Sequence, residues 1–452
     1  AHAHLASLWW RRAARGCNVG IRLLRAKRCA ARTPSLGPAP VPHPASDHDR
    51  QEPLFSLKTL VHVVHARPPA VLSARPVATR HVVHPALIFA APSLSELHTG
   101  PGTTILSFFD FSPFRPVDLA IDLGTANTVV YVKGEGVVLS EPSVVALETI
   151  DGITRVRAVG ADAKLMLGRT PDNVRTIRPL RNGVVADIEV AEQMLRHFIE
   201  KVQGARRWGR AGPEMVICVP SGSTMVERRA IRDAVTRAGA RKVWLIDEPM
   251  AAGIGADLPV NEPTGSMVVD IGGGTTEVGV ISIQGLSMAM SVRVGGDQMD
   301  DAIAAAVRRR HNMLIGEATA ERVKKAAGAA CLAQGDADAM IVIKGRDVAR
   351  GRPREIEVSH ALLIEALAEP VDQIVLAVRR ALENTPPEIA ADIIDAGIVM
   401  TGGGSLLPRI DTVLAEQTGL RVRIAEDPMN CVAVGAGRTL EGLAYRGVLQ
   451  AV

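Results

Sequence analysis

Cysteine is scarce in this chain: five in 452 residues, at 17, 29, 218, 331 and 431, none in a CxxC or other paired spacing. That scatter excludes a zinc ribbon and a disulfide framework, and it fits a reducing cytosol. A long apolar run is also missing. The best stretch, Val82 to Pro92, is broken by His84 and Pro85 and falls short of the ~20 residues that cross a bilayer, so no segment is expected to span one. Nor is there a basic excess outside the N-terminal region. The formal charge is +4, yet residues 1–104 hold 13 Lys/Arg against 4 Asp/Glu, leaving 39 against 44 in the remainder. A mildly acidic body offers no electrostatic footprint for nucleic acid.

What is present divides unevenly. Nine of the twelve histidines fall in residues 1–98, whereas all thirteen methionines lie at or beyond Met166. The first hundred residues are Arg-rich and acid-poor, as transit peptides are. However, Arg67-Pro68-Pro69 and the near-repeat His62–His65 and His81–His84 carry no helical period. The expectation for 1–104 is therefore a disordered or non-native extension. The rest, 47% apolar and 22% charged over the whole chain, reads as globular and too long for a single core.

From Val117 onward the sequence repeats itself. Asp118–Asp122, a turn Leu123–Asn127 and Thr128–Val132 form a strand, a glycine turn and a strand. The same pattern returns as Met267–Asp270, Ile271–Thr276 and Glu277–Val280. Each reads as a β-hairpin whose turn follows an Asp that ends a strand. Val216–Gly222 leading into a helical run Thr224–Ala238 is matched by Ile398–Gly402 leading into Leu406–Gln417. Leu245–Met250 followed by small residues to Gly255 is matched by Ile424–Met429 followed by small residues to Gly437. Three elements in the same order predict a duplicated α/β domain.

The repeated turns have a chemistry. Glycine lets backbone N–H groups converge on an anion, so Gly124, Thr125, Ala126 and Asn127 would cradle a polyphosphate from one half, and Gly272, Gly273, Gly274 and Thr275 from the other. Asp122 and Asp270 are placed to hold waters around Mg²⁺, which prefers oxygen ligands and keeps much of its hydration. A second reading of each Asp is a cap on its own turn. The run Gly402-Gly403-Gly404 lets backbone lie flat against a nucleoside, unless it is only a strand-to-helix turn. Hydrolysis needs a group that orients water toward the γ-phosphate. Glu248 fits, since Pro249 is expected to open the next helix and leave Glu248 at its mouth, facing the cleft. Its alternative is a helix N-terminal charge favoured by the dipole.

With these residues in place, the chain from about 105 to 448 resembles the MreB family, the bacterial homologues of actin. The resemblance rests on Asp122–Thr128, Glu141-Pro-Ser-Val144, Val226–Ala230, Glu248–Ala252, Asp270–Val278, Gly296–Asp300, Thr385–Glu388 and Thr401–Leu407. Asp247, Gly253 and a short segment 334–357 depart from the usual pattern. The resemblance implies an actin-like ATPase fold of four subdomains around a cleft, with ATP and Mg²⁺ as cofactors. It also implies self-assembly into antiparallel double filaments at the cytoplasmic face of the bacterial inner membrane, and partnership with the cell-wall elongation machinery, such as RodZ, in maintaining rod shape. Carried over residue by residue, Glu248 resembles the water-orienting glutamate, assisted by Thr275 or Thr276, while Glu321 and Lys324 resemble the ribose and adenine contacts. Three apart on a helix, those last two also read as a surface ion pair.

The expected layout is a first half at 117–262 with an outer insertion near 146–178, and a second at 263–432 with an outer insertion near 299–360. Residues 433–452 return to the first half. Phe108, Phe109, Phe111 and Phe114 in a membrane-contact segment 105–116, together with Trp208 among arginines, are expected to insert shallowly into lipid; the alternative readings are a docked N-terminal arm and an ordinary basic loop. The rival readings are an Hsp70-like chaperone ATPase and a small-metabolite kinase. The first needs a substrate domain beyond the Gly402 loop, where only about 50 residues follow. For the second, no acceptor motif is seen.

Overall fold

Two apolar runs set the architecture. Leu119–Leu123 and Ser266–Ile271 are buried almost end to end, as strands covered on both faces must be, and each lies inside its own sheet. The computed structural model describes residues 117–204, 212–333 and 338–451; Phe108, Phe109, Phe111, Phe114 and Trp208 lie outside them. The first sheet runs Gln450–Ala451, Lys242–Asp247, Glu214–Val219, Leu119–Leu123, Asn127–Val132, Gly136–Pro142. The second runs Val422–Ile424, Ile398–Thr401, Ser266–Ile271, Thr276–Ser282, Gly285–Val292.

Apart from the short Gln450–Ala451, the two sheets match strand for strand and in direction. In each, the buried strand pairs antiparallel with the one that follows it and parallel with a later one. Register matches too. Asp122 lies opposite Val129 and Asp270 opposite Glu277, so both turns project from the same end of equivalent strands.

The sheets are joined through two helices, Glu248–Gly255 and Cys431–Glu441. Around them closes one apolar cluster that takes Ala120, Val216 and Ile246 from the first sheet and Val268 and Ile281 from the second. The helices cross backbone to backbone. A Cβ on Gly255 would sit 1.9 Å from Cys431 O, and one on Gly435 1.8 Å from Ala251 O. Gly435→Ala is therefore expected to cost about 3 kcal/mol by overpacking, seen as a lowered Tm in thermal unfolding followed by circular dichroism. An unchanged Tm would refute so close a crossing.

Each half carries an outer part. In the first, Val145–Ile150 pairs with Ile153–Val159 and Val174–Ile177, with helix Ala161–Met166 packed alongside. In the second, Met313–Leu314, Met340–Asp347 and Pro353–Ser359 form a sheet, and helices Gly296–His311 and Glu317–Ala327 run from it to the cleft. The expected helix after Val216–Gly222 appears as Met225–Arg237. It starts on a reciprocal cap, Thr224 Oγ1 accepting from Glu227 N at 3.2 Å while Glu227 Oε2 accepts from Thr224 N at 2.7 Å. The run expected to be one helix from Leu406 is split into a 3₁₀ turn Gly403–Leu406 and a helix Ile410–Thr418. Pro408 disfavours helical backbone at Leu407, which is extended. Among the described residues no helix is long and apolar enough to cross a membrane.

Candidate functional site

A cleft of about 380 Å³ opens between the two sheets. Its floor is built from the two repeated turns. Ser143 braces the first, donating through Oγ to Gly124 O at 2.6 Å and through N to Ala126 O at 3.0 Å. The second is closed by Gly272 N donating to Thr275 O at 2.8 Å. The turns touch. A Cβ on Gly273 would fall 2.5 Å from Ala126 Cβ, and one on Gly274 would fall 2.8 Å from Thr125 Oγ1. Glycine is required at both positions by the opposite half of the molecule, not only by its own turn.

Four carboxylates gather behind and beside the turns. Asp122 and Asp270 line the cleft, and burial, reinforced by Asp270, pushes Asp122 up to about 7. Burial likewise pushes Asp270 up to about 6, against the opposing hydrogen bond from Thr401 Oγ1 at 2.7 Å. Glu248 and Glu277 are buried and lie off the cleft wall. Burial raises Glu248 well above the ordinary carboxylate range, and Glu277, Asp122, Asp270 and Asp247 raise it further. Glu277 accepts from Ser221 N at 3.1 Å, Ser221 Oγ at 2.6 Å and Ser291 Oγ; burial still lifts it to about 6.

The turn segments 122–127 and 270–276 contain no Lys or Arg. Within the turns themselves phosphate charge would meet backbone N–H groups, the Thr and Asn side chains and two carboxylates, with no cationic side chain among them, a set that a divalent cation would complement. Among the described residues no three His, Cys, Asp or Glu side chains are grouped to hold a metal directly. The two cleft aspartates fit Mg²⁺ held through its water shell.

Further along the cleft, Gly402 has φ +78°, and a Cβ there would lie 2.4 Å from Ile271 O; on Gly404 it would lie 2.2 Å from Ile271 Cγ2. Gly403 has open space above it. Glu321 and Lys324 both line the cleft, yet they do not pair with each other. Lys324 Nζ donates to Gly296 O at 2.7 Å and stands 3.0 Å from Asp300 Oδ1. Glu321 is held by Lys164 at 2.8 Å and Lys325 at 2.7 Å. Burial would raise its pKa, but the hydrogen bonds from the two lysines outweigh that and bring it to about 2.

The cleft wall thus collects Asp122, Gly124, Thr125, Ala126, Asn127, Asp270, Gly272, Gly273, Glu321, Lys324 and Gly402 to Gly404. Gly274, Thr275, Thr276 and Glu248 stand off that wall. Glu248 begins its helix where Pro249 places it, but it is buried instead of facing the open cleft. Thr276 is wholly buried with Oγ1 committed to Val294 O at 2.7 Å, which leaves Thr275 as the threonine of the turn. Sequence reading missed Ser143 and Thr401, although both sit inside the motifs quoted above. It also missed Lys164 and Arg178, which carry no local signal.

Residues 116–446 match the family described as MreB/Mbl protein. The chain is 54% identical over 332 residues to the cell shape-determining protein MreB of Escherichia coli K12, covering 73% of this chain and 95% of that protein. It is 46% identical over 326 residues to the cell shape-determining protein Mbl of Bacillus subtilis, covering 72% and 96%. The crystal structure of MreB5 of Spiroplasma citri bound to AMPPNP superposes with a TM-score of 0.67 at 35% identity, over 72% of this chain and 96% of that one. A duplicated, register-matched pair of sheets closing glycine turns over one cleft, joined to this depth of likeness along nearly the whole of its relatives, makes the chain a member of the MreB/Mbl family of actin-like proteins.

Proposed function

We propose that this chain binds Mg-ATP in the cleft, hydrolyses it, and assembles into filaments on the cytoplasmic face of the bacterial membrane that guide cell-wall synthesis and cell shape. The contact of Gly273 with Ala126 and of Gly274 with Thr125 carries this reading, because it brings two anion-binding turns onto one small volume. The shape-determining relatives and the AMPPNP-bound neighbour support it. Backbone N–H groups of Gly124 to Asn127 and Gly273 to Thr275 bind the phosphates, on a turn that the Gly272 N–H closes. Asp122 and Asp270 hold waters of Mg²⁺, which when bound neutralises phosphate charge. Glu248, with Thr275, orients the attacking water. Glu321, Lys324 and Gly402 to Gly404 take the nucleoside. Phe108, Phe109, Phe111, Phe114 and Trp208 supply the lipid contact, and antiparallel double filaments offer a surface to partners such as RodZ.

The test is purified full-length protein with Mg-ATP and anionic liposomes. Phosphate release without any added acceptor, a rise in light scattering that requires ATP, and filaments on a lipid monolayer by electron microscopy are expected. Phosphate release that begins only with a metabolite acceptor, and no filaments, would overturn the reading in favour of a kinase.

A further inference from the structure

The mouth of the cleft is crossed by charges from opposite halves. Lys164, on helix Ala161–Met166 of the first half, reaches Glu321 on helix Glu317–Ala327 of the second at 2.8 Å. Arg178, also of the first half, places Nη1 3.2 Å from Asp297 Oδ1 and 3.3 Å from Oδ2, and Nη2 on Glu317 Oε1. The Arg178 side chain is 13% exposed, its Nε is buried without a partner among the described residues, and it forms part of the cleft wall. Arg178 is largely buried, whereas Lys164, Glu321 and Glu317 keep part of their surface in water, so the pairs stay open to screening by salt.

We infer that Lys164 and Arg178 are positioning residues for the nucleotide: reaching from the first half, they hold Glu321, Asp297 and Glu317 of the second and so keep the cleft closed over its occupant. This rests on the nucleotide reading above. The geometry separates the strap from local folding. Without Lys164, Glu321 keeps Lys325 one turn away on its own helix at 2.7 Å, so what is lost is the link across the cleft. Straps that favour closure strengthen nucleotide binding, and by reciprocity a bound nucleotide tightens the straps; affinity lost with the straps appears mainly as faster release.

Full-length protein is loaded with a fluorescent ATP analogue and Mg²⁺ below the concentration at which scattering rises, then chased with excess ATP. Release from K164A/R178A is expected to be about tenfold faster than from wild type, with K164R restoring most of the retention lost in K164A. Lys201→Ala, which removes an ion pair to Glu141 internal to the first half, is expected to leave release unchanged. In wild type, raising KCl is expected to speed release, because the straps are ionic. That salt titration and the single variants decide the matter if the double variant does not fold. Release unchanged by both salt and the single variants would overturn the strap. A wild type that never retains the analogue would instead overturn the nucleotide reading on which the strap depends.

Discussion

Glu248→Gln is expected to lower phosphate release by about 10²–10³-fold, the range typical of losing a positioned acid–base group, while leaving nucleotide affinity within about threefold. The split follows from position. Glu248 is buried behind the turns and forms no part of the cleft wall, so the nucleotide loses no contact when its charge is removed. Gln keeps the size of the side chain. In the ligand-free protein, burial and the neighbours Glu277, Asp122, Asp270 and Asp247 all work against ionisation here, so the neutral amide removes repulsion and Tm should hold or rise. Single-turnover phosphate release, nucleotide titration and thermal unfolding check the three parts. A variant with wild-type turnover would remove Glu248 from the chemistry, whereas a parallel loss of affinity and Tm would make it a structural residue.

Much of this arrangement was legible in the sequence because its cause is local. A strand buried on both faces must be an apolar run, and Leu119–Leu123 and Ser266–Ile271 are. A turn that admits an anion needs glycine, and the two turns announce themselves at equal distance from equivalent aspartates. The stretches of small residues after Met250 and Met429 were visible as a repeat. Their reason was not, since only the fold shows Gly255 and Gly435 pressed against the backbone of each other's helices. Lys164 and Arg178 were invisible for the complementary reason. Their partners lie 157 and 119 residues away, and a long cationic side chain in an outer part of the fold has the same local appearance whether it meets water or another half of the molecule. From the sequence Glu277 reads only as part of a strand. Its three hydrogen bonds to Ser221 and Ser291 belong to the tertiary structure alone.

Asp122→Asn and Asp270→Asn are each expected to weaken Mg²⁺-dependent nucleotide binding by more than about tenfold, and to flatten its dependence on pH in different ways. With folded values of about 7 for Asp122 and about 6 for Asp270 against an ordinary 3.8, the ligand-free fold binds these protons more tightly than the unfolded chain does. Its contribution to stability is therefore complete below pH 3.8 and is lost as pH rises through about 6 and 7. A cation held through water acts oppositely, since it favours the ionised carboxylates. Mg-nucleotide affinity should climb from pH 6 to 8, by up to about tenfold per pH unit for each proton displaced, and binding should release protons. Calorimetric titrations in two buffers of different ionisation enthalpy read that release directly. The Asp122→Asn variant should lose its share of the climb, and the Asp270→Asn variant should lose its own share and move the remaining one to lower pH, because the Asp270 charge is part of what raises Asp122. Thr401 keeps a partner in either case, because the amide oxygen introduced by Asp270→Asn still accepts its hydroxyl, so a large fall in Tm is not expected. If affinity is level across this range in the wild type, and neither variant alters the requirement for Mg²⁺, the two aspartates are caps of their own turns and the metal is held elsewhere.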